Sequence, residues 1–162
     1  MKGFASSVAL AALLVPGLLD CKSTMTAPQP VLAAVSNAPT TLTVGASPVT
    51  VNGNAWRDFM PGPGGPAGGS GLMISASVQT ALPTPLPADL TIGSVWVLNG
   101  DQLWSTTQVE NRRDTPFVQT GVARNGPRWD PGAQVTLVVG VKTGTGPEQY
   151  VRAEAMPIRR TD

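Results

Sequence analysis

The sequence predicts an all-β domain, an antiparallel β-sandwich of about seven or eight short strands behind an export leader. Three observations predict it. Apolar residues alternate with period two in several separate runs, 18 glycines and 16 prolines punctuate the 162 residues, and no segment after residue 40 sustains the three-and-four spacing of an amphipathic helix. Hydrophobic residues make up 41% of the chain and charged residues 13%. That composition suits one core in a domain of about 120 residues.

The leader comes first in the chain. Met1-Lys2 is followed by an apolar run from Phe4 to Leu19, broken only by Ser6, Ser7, Pro16 and Gly17, and then by Asp20-Cys21. A positive start and about fifteen apolar residues make a signal peptide over 1–20, too short for a spanning helix of roughly 20 residues. Cys21 is the sole cysteine, so it has no intramolecular disulfide partner. The stretch Leu18-Leu19-Asp20-Cys21 resembles the lipobox of bacterial lipoproteins, which implies lipid on Cys21 and an anchor in the membrane. Asp20 stands where that family carries Gly, Ala or Ser. Simple secretion, with cleavage after Ala34-Val35-Ser36, is the alternative. Residues 21–40, rich in Ala, Pro, Ser, Thr, Gln and Asn with scattered Met25, Val31, Leu32 and Val35, read as a flexible tether between anchor and domain.

The β-domain is expected over 41–162. Thr41 to Val44 and Val49 to Phe59 open it. Leu72, Ile74, Ala76 and Val78 then alternate with Met73, Ser75, Ser77 and Gln79, one side apolar and one polar. Leu90, Ile92, Trp96 and Leu98 lie on one parity of the next run and Val95 and Val97 on the other, so this strand has both faces covered. Asn99-Gly100 suits a type I′ hairpin, which returns the chain through Asp101 to Glu110. Phe117 to Ala123 forms another strand. Val135, Leu137, Val139 and Val141 share a face, Gly144-Thr145-Gly146-Pro147 turns the chain, and Gln149 to Met156 comes back with Val151, Ala153 and Ala155 aligned. Parity places Trp96, Leu137, Val139 and Val151 in the core. A small β-barrel is the competing closure, because strand number does not separate the two.

Several chemistries are excluded or disfavoured by residue content. Histidine is absent, which removes Ser-His-Asp and Cys-His catalysis and the commonest zinc and copper ligand. No Asp-x-Asp-x-Asp calcium run occurs. Gly64 to Ser70 has a phosphate-loop glycine spacing without its lysine, and Ser70 lacks the Gly-x-Ser-x-Gly context. Eleven Lys and Arg against ten Asp and Glu leave a formal charge of +1, so nucleic acid is not an expected partner. Neither a metal nor a cofactor is expected. The glycine- and proline-rich stretch 61–71 reads as a surface loop. Arg112-Arg113 and Arg159-Arg160 read as solvated strand ends.

Four tryptophans remain. Trp96 belongs to an apolar strand, whereas Trp56, Trp104 and Trp129 are candidates for a ligand surface that would stack sugar rings or an apolar partner. Their structural reading is as large aromatics buried at sheet edges. The stretch from Trp56-Arg57-Asp58-Phe59 through the Trp96–Trp104 hairpin, Arg124-Asn125-Gly126-Pro127-Arg128-Trp129 and the valine-rich closing hairpin resembles small uncharacterised bacterial envelope proteins with immunoglobulin-like sandwiches. That resemblance implies architecture and no reaction.

The functional expectation is therefore a non-catalytic module, exported to the bacterial cell envelope or secreted, that binds or scaffolds a protein or glycan partner. One alternative is a carbohydrate-binding module that uses exposed tryptophans. Another is a hydrolase using two of Asp58, Asp101, Glu110, Asp114 and Asp130, which requires two of these carboxylates in one cleft.

Overall fold

The computed structural model describes residues 29–60, 68–80 and 84–162. The leader, Cys21, the first part of the expected tether and most of the glycine- and proline-rich loop lie outside the described residues.

Ten described strands follow one helix. They are α1 (Gln29–Ser36), β1 (Thr41–Val44), β2 (Ser47–Asp58), β3 (Leu72–Thr80), β4 (Leu90–Asn99) and β5 (Gln102–Thr106), then β6 (Val109–Thr115), β7 (Val118–Gly126), β8 (Gln134–Thr143), β9 (Gln149–Arg152) and β10 (Met156–Thr161). The main path of pairing runs β5-β4-β8-β10-β2-β3-β7-β6, with β1 added to β2 and β9 to β8. The domain is all-β, as the period-two runs predict, but it is not wholly antiparallel. Ile158, Arg159, Arg160 and Thr161 of β10 pair in parallel with Ala55, Trp56, Arg57 and Asp58 of β2. The sequence reading ends its last strand at Met156, where β10 begins, and takes Arg159-Arg160 as a solvated strand end. After Ala153 the chain breaks its pairing, and β10 rejoins β8 through Met156 and Pro157 before Ile158 to Thr161 pair with β2.

Strand β3 shows how pattern becomes packing. Leu72, Ile74, Ala76 and Val78 are fully buried, and the residues between them are half-exposed. Together with Val49, Val51 and Ala55 of β2, Ala123 of β7, and Leu137, Val139 and Val141 of β8, they make one continuous core.

Strand β4 departs from simple alternation. Ile92 pairs with Val141 and Ser94 with Gly140, so Gly93 is an extra residue in the ladder. A bulge of one residue inverts the facing of everything beyond it. Leu90, Ile92, Val95 and Val97 consequently all enter the main core, while Trp96 turns to the opposite side of the sheet. Trp96 is buried as expected, but beneath α1 rather than between sheet layers. The bulge also depends on glycine for space. A Cβ on Gly93 would lie 2.6 Å from Glu148 Oε1 and 3.0 Å from Lys142 Cε.

The β4–β5 hairpin forms as predicted, with the turn one residue later. Asn99 pairs with Gln102, leaving Gly100 and Asp101 as the turn residues. Gly100 has φ of 61° and Asp101 has no positive φ, which is the type II′ pattern rather than I′.

Residues 29–40 correct the tether expectation. Within them, Val31, Leu32 and Val35 of α1, followed by Ala38, pack on Trp96, Val138, Leu98 and Tyr150. Val31 and Val35 are one helical turn apart and so share a face. Asn37 stops the helix, its backbone N–H and its side-chain amide both donating to Ala33 O. Pro39 O then accepts from Arg152 N at 2.8 Å, which ties this segment to β9. Val31, Leu32 and Val35, which looked scattered in a polar stretch, are the underside of a helix covering one outer face of the sheet.

Tyr150 lies under that cover, its ring edge-on to Trp96 with centroids 6.3 Å apart and its hydroxyl donating to Glu148 Oε2 at 3.2 Å. Burial first, then the neighbouring Glu148 carboxylate, pushes the phenol up to about 12 from 10.0. A raised value favours the protonated form in the folded state, so the linked stability is intact below the unfolded phenol's pKa. It is lost as pH rises through the interval from the unfolded value to the folded one. Tyr150 is the sole tyrosine, so an ultraviolet titration of tyrosinate reads it alone. The native protein should titrate near 12, with the signal appearing earlier wherever base unfolds it.

At the far end of the sheet, side chains bridge β6 to β4 where no ladder joins them. Ile92 N donates to Asn111 Oδ1 at 2.8 Å, and Asn111 Nδ2 donates back to Ile92 O at 2.9 Å. The amide thus imitates one residue of a partner strand. Gln119, buried beside it, donates to the same Asn111 oxygen at 3.1 Å, and Arg113 Nη2 donates to Pro87 O at 2.7 Å. Asn111→Ala leaves the Ile92 backbone without these partners, and a loss of about 1–3 kcal/mol is expected in urea unfolding.

Candidate binding site

The two outer faces of the protein differ. Over β4, β8 and β9 the outer face is apolar and α1 covers it. Over β10, β2, β3, β7 and β6 the outer face is mostly polar, with Trp56, Met73 and Val122 as apolar members, and α1 packs away from it.

Register arranges this open face in cross-strand rows. One row is Arg159 of β10, Trp56 of β2 and Met73 of β3, continued by Arg124, whose Nη1 approaches Met73 Sδ at 3.6 Å. The next is Asn54, Ser75, Val122 and Glu110, and the third is Asn52, Ser77, Thr120 and Arg112. Every second residue of each strand appears here because its neighbours, Ala55, Ile74, Ala76 and Ala123 among them, are committed to the core.

Hydrogen bonds organise the β6 side of the face. Thr120 donates to Asp114, leaving Ser77 to donate to Thr120 at 3.1 Å, and Arg112 Nε binds Asp114 Oδ1 at 2.6 Å. The Thr120 and Arg112 hydrogen bonds to Asp114 hold its carboxyl below the usual range. Arg124 reaches Glu110 at 3.4 Å, and Arg160 pairs with Asp162 at 2.7 Å. Arg159 has no carboxylate within ion-pair distance among the described residues. Beside it, Asn54, Ala55, Trp56, Ser75, Arg159 and Thr161 line a groove of about 330 Å³.

The three candidate tryptophans are therefore not together. Trp56 is half-buried on the open face. Trp104, paired with Val97, and Trp129 are half-buried against the main core. The ring of Trp104 packs so near Gly126 that a Cβ there would meet its Cε3 at 3.2 Å. Trp56 alone among the three lines the groove.

The candidate carboxylates lie on β2, in the β4–β5 turn, on β6 and in the segment between β7 and β8. Asp58 Oδ1 accepts from Met60 N at 2.9 Å and closes a local turn. Asp101 lies in the β4–β5 turn and Asp130 in the segment between β7 and β8. Glu110 and Asp114 share the outward side of β6 but are four residues apart, about 13 Å along an extended strand. That exceeds the roughly 5–9.5 Å between the carboxyl groups of glycosidases. Among the described residues no group of three His, Cys, Asp or Glu side chains is placed to hold a metal ion.

Arg57 is a site residue that pattern reading overlooked. It lies on the inward parity of β2 and is 4% exposed. Its Nε donates to Ser70 O at 2.9 Å, Nη2 to Gly68 O at 2.6 Å, and Nη1 to Trp129 O at 3.1 Å and Arg128 O at 3.3 Å. The guanidinium also sits 4.8 Å from the Phe59 ring centroid, with Arg160 at 4.2 Å. The parity that places Val49, Val51 and Ala55 inward was the available signal. It fixes the end of β2, which carries Trp56, against two loops. No protein-family model matches the chain, and no curated protein matches it.

Proposed function

We propose that the protein is a non-catalytic binding module of the bacterial cell envelope, exported on the 1–20 leader and anchored through lipid on Cys21. Its ten strands are layered as an immunoglobulin-like sandwich, and its binding surface is the outer face of β10, β2, β3, β7 and β6. The observation that carries this reading is the asymmetry of the two outer faces, one covered by α1 and the other open, mostly polar and grooved at Trp56. Sandwich layering is favoured over a barrel because β6 meets β4 through Asn111 rather than through a backbone ladder. Asp58, Glu110 and Asp114 are each engaged by a local backbone or arginine donor, which favours binding over hydrolysis.

A photoreactive residue at Ser75, with another at Asp101 as the control, tests the surface in intact cells. Crosslinked product from position 75 and none from 101 is the expected result, and equal labelling at both overturns the assignment of the face. Intact mass of the membrane fraction tests the anchor, because a mature chain beginning well beyond Cys21 excludes it.

A further inference from the structure

We propose that the Trp56 groove binds an acidic saccharide, a glycan bearing hexuronic acid residues, with Arg159 receiving the carboxylate. This rests on the reading of the open face as the binding surface and names its ligand class.

The chemistry of the lining leads to this class. At about 330 Å³ the groove is at the small end of ligand sites, which run from about 300 to 1,000 Å³. It has room for a ring and its substituents rather than for a folded segment. The Asn54 amide and the Ser75 hydroxyl each both donate and accept, and the Thr161 hydroxyl, which donates to Arg57 O, still accepts, which matches sugar hydroxyls. Trp56 offers an apolar body with a polar N–H, suited to the C–H face of a pyranose. A neutral sugar would be served by these four residues alone.

Arg159 makes the preference acidic. The neighbouring Arg112, Arg124 and Arg160 are each paired with a carboxylate, whereas Arg159 has none among the described residues, and register sets it directly beside Trp56. A guanidinium binds a carboxylate through two parallel, charge-assisted hydrogen bonds, stronger than neutral ones. One unpaired cation among hydroxyls and an amide fits one carboxylate per ring. It does not fit a polyphosphate, which requires clustered cations.

The test uses the indole N–H signals of the full-length protein in nuclear magnetic resonance, with Trp56→Phe assigning its own signal. The probes are a trisaccharide of hexuronic acid, its methyl-esterified neutral form, and an acidic peptide of equal charge. The acidic trisaccharide should shift Trp56 and leave Trp104 and Trp129 in place. The esterified form should bind about tenfold more weakly, the cost of losing one charge-assisted contact. Arg159→Gln should abolish that discrimination while leaving the thermal midpoint unchanged, since this side chain is exposed.

Equal binding of the acidic and esterified forms overturns the role of Arg159, and tighter binding of the peptide overturns the saccharide class. Shifts confined to Trp104 or Trp129 overturn the site. If no saccharide binds while the crosslinker at Ser75 still captures a partner, the ligand class is wrong and the binding face stands. Failure of both removes both.

Discussion

Arg57→Met should lower the unfolding free energy by about 4 kcal/mol, one of the two largest losses expected here. Methionine matches the length of the arginine stem and keeps its packing, so the loss isolates the guanidinium. That group serves carbonyls of Gly68, Ser70, Arg128 and Trp129. Removing it leaves acceptors in a region where the arginine itself is 4% exposed, and each unsatisfied group costs about 1–3 kcal/mol unless water reaches it. Arg57→Lys should recover little. An ammonium group is a compact donor and does not span carbonyls arrayed around a planar fork. Urea unfolding monitored by tryptophan fluorescence measures both variants, and a loss below 1 kcal/mol for Arg57→Met would show that the loops hold their positions unaided.

Trp96→Ala should cost about 3–5 kcal/mol and also free α1. The indole is 7% exposed, lies under Val35 and Ala38, meets Tyr150 edge-on, and donates from Nε1 to Ser94 Oγ at 2.8 Å. An eight-residue helix is too short to persist alone in water. Its order comes from this contact. Hydrogen exchange at Asn37 and Ala38, whose N–H groups bond Ala33 O and Val35 O, should accelerate by a much larger factor than exchange in β3. Trp96→Phe retains apolar volume and loses the hydrogen bond, so its cost should be smaller, with α1 kept in place. Unchanged exchange at Asn37 in Trp96→Ala would show that α1 is held by Val138 and Tyr150 without it.

The two substitutions mark where the sequence was readable. Strand β3 was legible in full because it is half-buried, with one apolar side and one polar side. The hairpin β8–β9 was legible for the same reason and because its turn residues are distinctive. Strand β6 was not. Its residues Val109-Glu110-Asn111-Arg112-Arg113-Asp114-Thr115 show no apolar alternation, since its inward side chains, Asn111 and Arg113, bind backbone across a gap. Strand β10 was missed because the last expected strand was ended at Met156, and nothing local distinguishes a parallel partner about 100 residues away from an antiparallel neighbour. The bulge at Gly93 was invisible to parity counting, although an isolated glycine in a strand is a known bulge signal. Trp96 was therefore assigned correctly to the interior and incorrectly to its side.

The candidate site was legible only in part. Trp56 was named among three tryptophans, but residue type alone did not separate it from Trp104 and Trp129. Separation required strand register, which set Arg159 and Asn54 around one indole and turned the other two toward the core. Arg159 was read as a solvated strand end, which is how an exposed arginine with no paired carboxylate reads before its neighbours are known.

The parallel ladder between β2 and β10 also sets an order of events. Strand β2 precedes all but one of the described strands and β10 follows all of them, so Thr161 Oγ1 meets Arg57 O across 104 residues of chain. While a ribosome is still producing the segment in between, the part of one β2 edge that β10 will cover has no mate, although ladders that do not involve β10, such as β2–β3 and β4–β5, can already form. Contacts of such sequence separation slow folding, because the entropy of closing the intervening loop is lost before the contacts form. The groove beside Trp56 is therefore completed only when β10, the last described strand, is free to pair.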